Sequence, residues 1–244
     1  MYTLLALALS QPPAAPDEWA RLKGAIKADG TVAAAGAKWQ TGHGFRWQIL
    51  LRDPDGEYRP APLAAKYKTG DAFRVRVEPL TDLHLYVLAR QSDGRLDRAT
   101  PVGKPFELTA GKPIDLPSGG GGYQFRGDDG KCVLQLVAVP KPLAAAEDAG
   151  LVKAMEARQK GVAPPDDAGR AFAKRLVALD AKEQPAGAQP PPKTPGEALR
   201  RPPQGDKESA LVFATDQWFL ATYLSPQRSA APVLVHDIPL AHSK

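Results

Sequence analysis

Between residues 45 and 88 apolar and polar side chains alternate with a period of two, which puts neighbouring residues on opposite faces of an extended strand. Phe73, Val75 and Val77 face one way, while Arg74, Arg76 and Glu78 face the other. After Pro79-Leu80-Thr81-Asp82, the run Leu83-His84-Leu85-Tyr86-Val87-Leu88 is bulky on both faces and predicts a strand nearer the centre of a sheet. Upstream, Phe45, Trp47, Ile49 and Leu51 alternate with Arg46, Gln48, Leu50 and Arg52, and Asp53-Pro54-Asp55-Gly56 closes that strand with a turn. Asp93-Gly94 supplies another, since both residues tolerate positive φ. Phe106-Glu107-Leu108 and Ile114-Asp115-Leu116 predict short edge strands. The continuous apolar run from Cys132 to Val139 predicts a central strand that Pro140 and Pro142 end.

The pattern then changes. Residues 143–160 are rich in Ala, Glu and Lys, with Leu151 and Met155 four apart, which predicts a surface helix. Asp166 or Asp167 can cap a second helix through Phe172, Leu176 and Leu179. Prolines at 185, 190, 191, 192, 195, 202 and 203 exclude regular structure there and predict an extended tether. Strand patterning returns in Ala210–Ala214, Trp218–Leu224 and Val233–Ile238, the last two reading as a hairpin. An isolated hairpin is unstable in water, so it is expected to rejoin the earlier sheets. The organisation is therefore residues 1–10 a signal segment, 11–44 a spacer with a short helix, and 45–140 the β core. Residues 141–208 read as a helical and Pro-rich insertion, and 209–244 as strands completing the core. The fold class is all-β, an antiparallel β-sandwich of immunoglobulin-like type with Greek-key connections as an option.

Composition narrows this picture. With 25 Pro and 22 Gly in 244 residues, turns are abundant and a helix-rich fold is disfavoured. The net charge of +5 is spread among 27 acids, with Arg200-Arg201 the densest basic group, so nucleic acid is not an expected partner. Cys132 is the sole cysteine, which excludes an internal disulfide and fits no zinc pattern, leaving a packing role inside its apolar run. Met1–Ser10 is an apolar run ending in Ala8-Leu9-Ser10, similar to a short secretory signal, and implies a periplasmic or secreted protein. It is too short for a lasting transmembrane anchor, which needs about 20 apolar residues.

Candidate chemistry is sparse. His43, His84, His236 and His242 show no helical metal-site spacing, and Pro239 separates the last two. The carboxylate pairs Asp53/Asp55, Asp128/Asp129 and Asp166/Asp167 sit beside Pro or Gly, where Asp serves turns and caps. There is no GxSxG elbow. Ser118–Gly122 lacks the Gly-Lys-Ser/Thr ending of a phosphate loop and reads as a flexible connection into Tyr123-Gln124-Phe125. No catalytic, cofactor-binding or metal-ligating residue is assigned. Trp19, Trp39, Trp47, Trp218, Tyr86, Tyr123 and Tyr223 pack a core or, if exposed, form a platform for sugar rings.

Tyr67-Lys68-Thr69-Gly70-Asp71 before a strand, Leu83–Leu88, Ser92-Asp93-Gly94, Ala110-Gly111 before Ile114-Asp115-Leu116-Pro117, and Gly130 before the strand ending at Val139 form a set. Over residues 45–140 this set resembles the bacterial family called domain of unknown function 4384. Ala221–Leu224 and Val233–His242 also resemble the tail of longer exported members. The resemblance implies a small non-catalytic β-sandwich accessory to envelope proteins, with no catalytic residues to carry over. The expected function is binding another envelope or secreted protein through Arg74, Arg76, Glu78, Tyr86 and Trp218. The alternatives are a carbohydrate-binding module using exposed aromatics, and a hydrolase with a dispersed site.

Overall fold

The computed structural model of the chain describes residues 18–62, 65–90, 93–125, 130–178, 209–214, 217–227 and 231–243. The signal segment, the Pro-rich stretch and the Asp128-Asp129 turn lie outside the described residues. The chain begins with α1 (Glu18–Ala25), β1 (Thr41–Arg52), β2 (Tyr58–Pro60), β3 (Tyr67–Lys68), β4 (Ala72–Pro79) and β5 (Leu83–Arg90). It continues through β6 (Leu96–Arg98), β7 (Phe106–Leu108), β8 (Ile114–Leu116), β9 (Tyr123–Gln124) and β10 (Gly130–Val139). Then follow α2 (Ala145–Gln159), α3 (Asp167–Lys174), β11 (Leu176–Ala178), β12 (Ser209–Ala214), β13 (Phe219–Ser225) and β14 (Val233–Ser243).

The strands form two mainly antiparallel sheets. The first has the order β12-β13-β1-β4-β8, with β2 also on β1 and β9 on β4. The second has the order β11-β14-β10-β5-β6, with β3 on β14 and β7 on β5. One apolar core joins them: Phe45, Trp47, Val75, Val77 and Tyr223 from the first sheet meet Leu85, Val87, Leu136, Leu234 and Ile238 from the second. Alternation does this directly, since every second residue of β1 and β4 points inward.

Both sheets are also covered on their outer faces, which the strand patterns only partly announce. Trp19, Leu22 and Ala25 of α1, with Ile26, pack on Leu80, Leu220 and Leu224 of the first sheet's outer side. Leu151, Ala154 and Met155 of α2 and Phe172 of α3 pack on Tyr86, Leu88, Val137, Val139, Val233 and Val235 of the second. The two-sided bulk of β5 and the continuous apolar run of β10 follow from this helical cover as well as from central position. No helix among the described residues is long and apolar enough to cross a membrane.

Three readings of the sequence need correction. β13 and β14 do not form a hairpin; β13 pairs with β12 and β1, and β14 with β10 in the other sheet. β13 ends at Ser225 in the first sheet, and β14 begins at Val233 in the second. β14 also runs through Pro239. Its second edge pairs with β11 up to Val235 and with β3 from His242, so the proline's missing N–H falls where that edge has no strand to bond among the described residues. Leu176 leaves α3 and enters β11, parallel to β14. The α3 cap is as expected: Asp166 Oδ1 accepts from the Gly169 N–H at 2.6 Å.

Candidate functional site

The outer face of the first sheet carries a row of ordered charges. Cross-strand register sets Arg46 opposite Glu78, Gln48 opposite Arg76 and Leu50 opposite Arg74, and then Arg76 opposite Asp115 of β8. Because these residues share a period of two, all of them project away from the core. Glu78 is the centre of a knot. Its Oε1 accepts from Trp19 Nε1 at 2.7 Å and Lys23 Nζ at 3.1 Å, and its Oε2 from Arg46 Nε at 2.9 Å and Nη2 at 2.6 Å. The Arg46 guanidinium also stands over two indoles, 5.1 Å from the Trp19 centroid and 4.2 Å from that of Trp218. Burial alone raises the pKa of Glu78, but the hydrogen bonds from Trp19, Arg46 and Lys23 outweigh it and hold the carboxyl below its usual value.

Next to the knot, Arg76 makes a fork with Asp115, Nε to Oδ1 at 2.7 Å and Nη2 to Oδ2 at 2.9 Å. These hydrogen bonds raise the guanidinium's pKa further. Arg74 turns the other way. It lies 4.2 Å from the Tyr58 ring centroid and donates to the Gly121 carbonyl at 2.8 Å and the Gly119 carbonyl at 3.2 Å. The Gly-rich run is thereby held against the sheet, and with the β1–β2 turn it walls an open cleft of about 480 Å³.

The structure separates the residues expected to form one binding surface. Arg76 shares the outer face with Arg46, two residues along β4 from its partner Glu78, and Arg46 meets Trp218, while Arg74 belongs to the cleft. Glu78 is only 5% exposed, and its carboxylate is satisfied by three side chains, so it organises the surface and does not present itself. Tyr86 is a correction too: it is buried in the second sheet beneath α2, its Oη accepting from the Leu143 N–H at 2.9 Å. A tyrosine flanked by apolar residues on both faces was legible as core. The aromatic platform is likewise not formed by tryptophans, because Trp19, Trp39 and Trp47 are buried and Trp218 is half-buried over Arg46.

Other candidate groups serve the fold. Asp53 accepts from the Glu57 N–H at 2.9 Å and pairs with Arg59, as a turn residue does. Cys132 packs against the core, and burial pushes its thiol pKa up. His43 and His236 are buried, the latter stacked on Phe219 at 4.4 Å. Among the described residues no three His, Cys, Asp or Glu side chains are grouped to hold a metal ion. Arg46 and Tyr58 were not singled out from the sequence, and Trp19 only as one of seven aromatics. Arg46 carried a signal, an outward-facing cation at the midpoint of a strand, but its partners Trp19 of α1, Glu78 of β4 and Trp218 just before β13 are brought together only by folding. Comparison of the chain with family models, curated proteins and solved structures finds no match.

Proposed function

We propose that this chain is a non-catalytic accessory module, a β-sandwich of immunoglobulin-like type related to the domain of unknown function 4384 family. It is exported to the periplasm or beyond and binds another envelope or secreted protein. The observation that carries this reading is the strip Trp218–Arg46–Arg76 on the outer face of the first sheet. Arg and Trp dominate the energetics of protein interfaces when they are held in place beforehand. Here Glu78 and Asp115 fix both guanidinium groups, and Arg76 keeps 38% of its side chain open to a partner.

Affinity capture from cell-envelope extract tests this, with the full chain as bait beside Arg76→Glu and Trp218→Ala. The expected result is a stoichiometric protein retained by the wild type and lost from both variants while their circular dichroism is unchanged. A capture profile that neither substitution alters overturns the assignment of this strip.

A further inference from the structure

The cleft beside Arg74 holds a combination of groups that the fold does not need. Its walls are the β1–β2 turn with Arg52, Glu57 and Tyr58, the strand residue Arg74, Gln124 of β9, and the backbone of Gly120–Gly122. At about 480 Å³ it falls in the range of roughly 300–1,000 Å³ typical of small-ligand sites. Its shape is built in. A Cβ on Gly122 would lie 2.3 Å from Tyr58 Oη and 3.0 Å from the Phe73 carbonyl, so only glycine lets the Tyr58 ring stand there under Arg74. Gly120 and Gly121 have open space where a side chain would be.

The donors and acceptors left over are of both kinds. Arg74 uses Nε and Nη2 on the glycine carbonyls, and Arg52 reaches the Gly56 carbonyl with Nε at 3.3 Å. Among the described residues both guanidinium groups keep further N–H donors, while the Glu57 carboxylate and Gln124 Oε1 have no donor. Two guanidinium groups against one carboxylate favour an anionic ligand, and the fork geometry of Arg suits a carboxylate. A bare anion leaves Glu57 facing like charge and Gln124 Oε1 unfilled. A ligand with a carboxylate and neighbouring hydroxyl donors satisfies all four side chains.

We propose that this cleft binds a carboxylate-bearing saccharide, a uronic acid unit of an acidic glycan. Its carboxylate sits between Arg52 and Arg74, and its ring hydroxyls donate to Glu57 and Gln124. The site shares none of these residues with the docking strip, so each proposal stands or falls alone.

The test is a titration of the ¹⁵N-labelled full chain with a short oligogalacturonate, run beside a neutral oligosaccharide of equal length, sodium acetate and an oligo-aspartate peptide. Saturable shifts of the Gly120, Gly121 and Gly122 amide signals are expected with the oligogalacturonate. The neutral sugar and acetate should each bind weaker by about tenfold or more, the worth of one charge-assisted hydrogen bond. Arg52→Ala and Glu57→Ala, both exposed turn-side positions, should each weaken the uronate by a similar factor, with Arg95→Ala, exposed beside β6 in the other sheet, unchanged. No shift with the uronate, acetate reproducing the shifts at equal concentration, or tighter binding of the peptide would each overturn the proposal.

Discussion

His43 shows how one buried side chain couples this fold to pH. Its Nδ1 lies 3.0 Å from Thr81 Oγ1, and its ring fills the space above Gly30, where a Cβ would stand 2.3 Å from Cε1. Gly30 also has φ +88°, so no other residue fits that turn without strain. Burial lowers the imidazole pKa to about 4, with the Asp29 carboxylate opposing the shift. A folded pKa below the unfolded value of 6.5 means that the contribution is whole above pH 6.5 and is lost as pH falls towards 4. Stability should drop by about 1.4 kcal/mol per pH unit across that window. Urea unfolding at pH 7.0 and 5.5 checks this: the wild type should lose stability between the two, and His43→Gln should lose much less. Equal losses in both proteins would refute the assignment. At this scale the sequence was partly legible. Asp53 and Asp166 act in a turn and a cap as their neighbours imply, because those bonds close within four residues. Burial of His43, Glu78 and Tyr86 depends on residues far along the chain.

At the scale of elements, α2 is held to the second sheet by more than its apolar stripe. Asp148, in its first turn, is buried and accepts from Arg98 Nη2 and from the Gly103 N–H, while Arg98 Nη1 donates to the Asp148 carbonyl at 2.7 Å. The same guanidinium lies 5.5 Å from the Tyr86 ring. Glu147 links the helix start to its neighbour, accepting from the Ala144 N–H at 3.2 Å and from Arg175 Nη1 at 2.8 Å. Removing one partner of a buried ion pair leaves the other uncompensated, which costs about 3–5 kcal/mol. Asp148→Ala should therefore lower the urea midpoint by that free energy with the slope unchanged, and Glu156→Ala, on the same helix, should cost little. A midpoint within error of the wild type would show that α2 is held by apolar packing alone. The helix itself was readable from Leu151 and Met155, but what it covers was not. Periodicity names an apolar face, and the partner face is chosen by topology.

The whole molecule depends on its last strand. β14 lies between β10 and β11 in the second sheet, and Leu234, Ile238 and Leu240 enter the common core while Val233 and Val235 support α2 and α3. Strands from before and after the helical stretch are thus interleaved, and neither part has a complete core. A chain ending at residue 230 should fail to fold: near-UV circular dichroism should be lost and no cooperative thermal transition seen. A native-like transition in that truncated chain would show that residues 45–140 close a core unaided. This interleaving also explains why the C-terminal hairpin was misread. Two strands joined by a short link usually pair with each other, and only the competition of β1 and β10 for partners sends β13 and β14 to opposite sheets.

The sequence by itself determined β1, β4, β5, β7, β8 and β10, the inward and outward faces of β1 and β4, the turns at Asp53–Gly56 and Asp93-Gly94, and the presence of α2. Each of these follows from φ/ψ preferences and from side chains within a few positions of one another. Tertiary structure alone decided which strands share a sheet, which outer faces lie under helices, and that Arg46 meets Trp19, Trp218 and Glu78. It also decided that Gly120–Gly122, without side chains of its own, becomes the wall of a cleft. These outcomes depend on contacts tens to hundreds of residues apart, where local pattern carries no information and shared burial makes the choice.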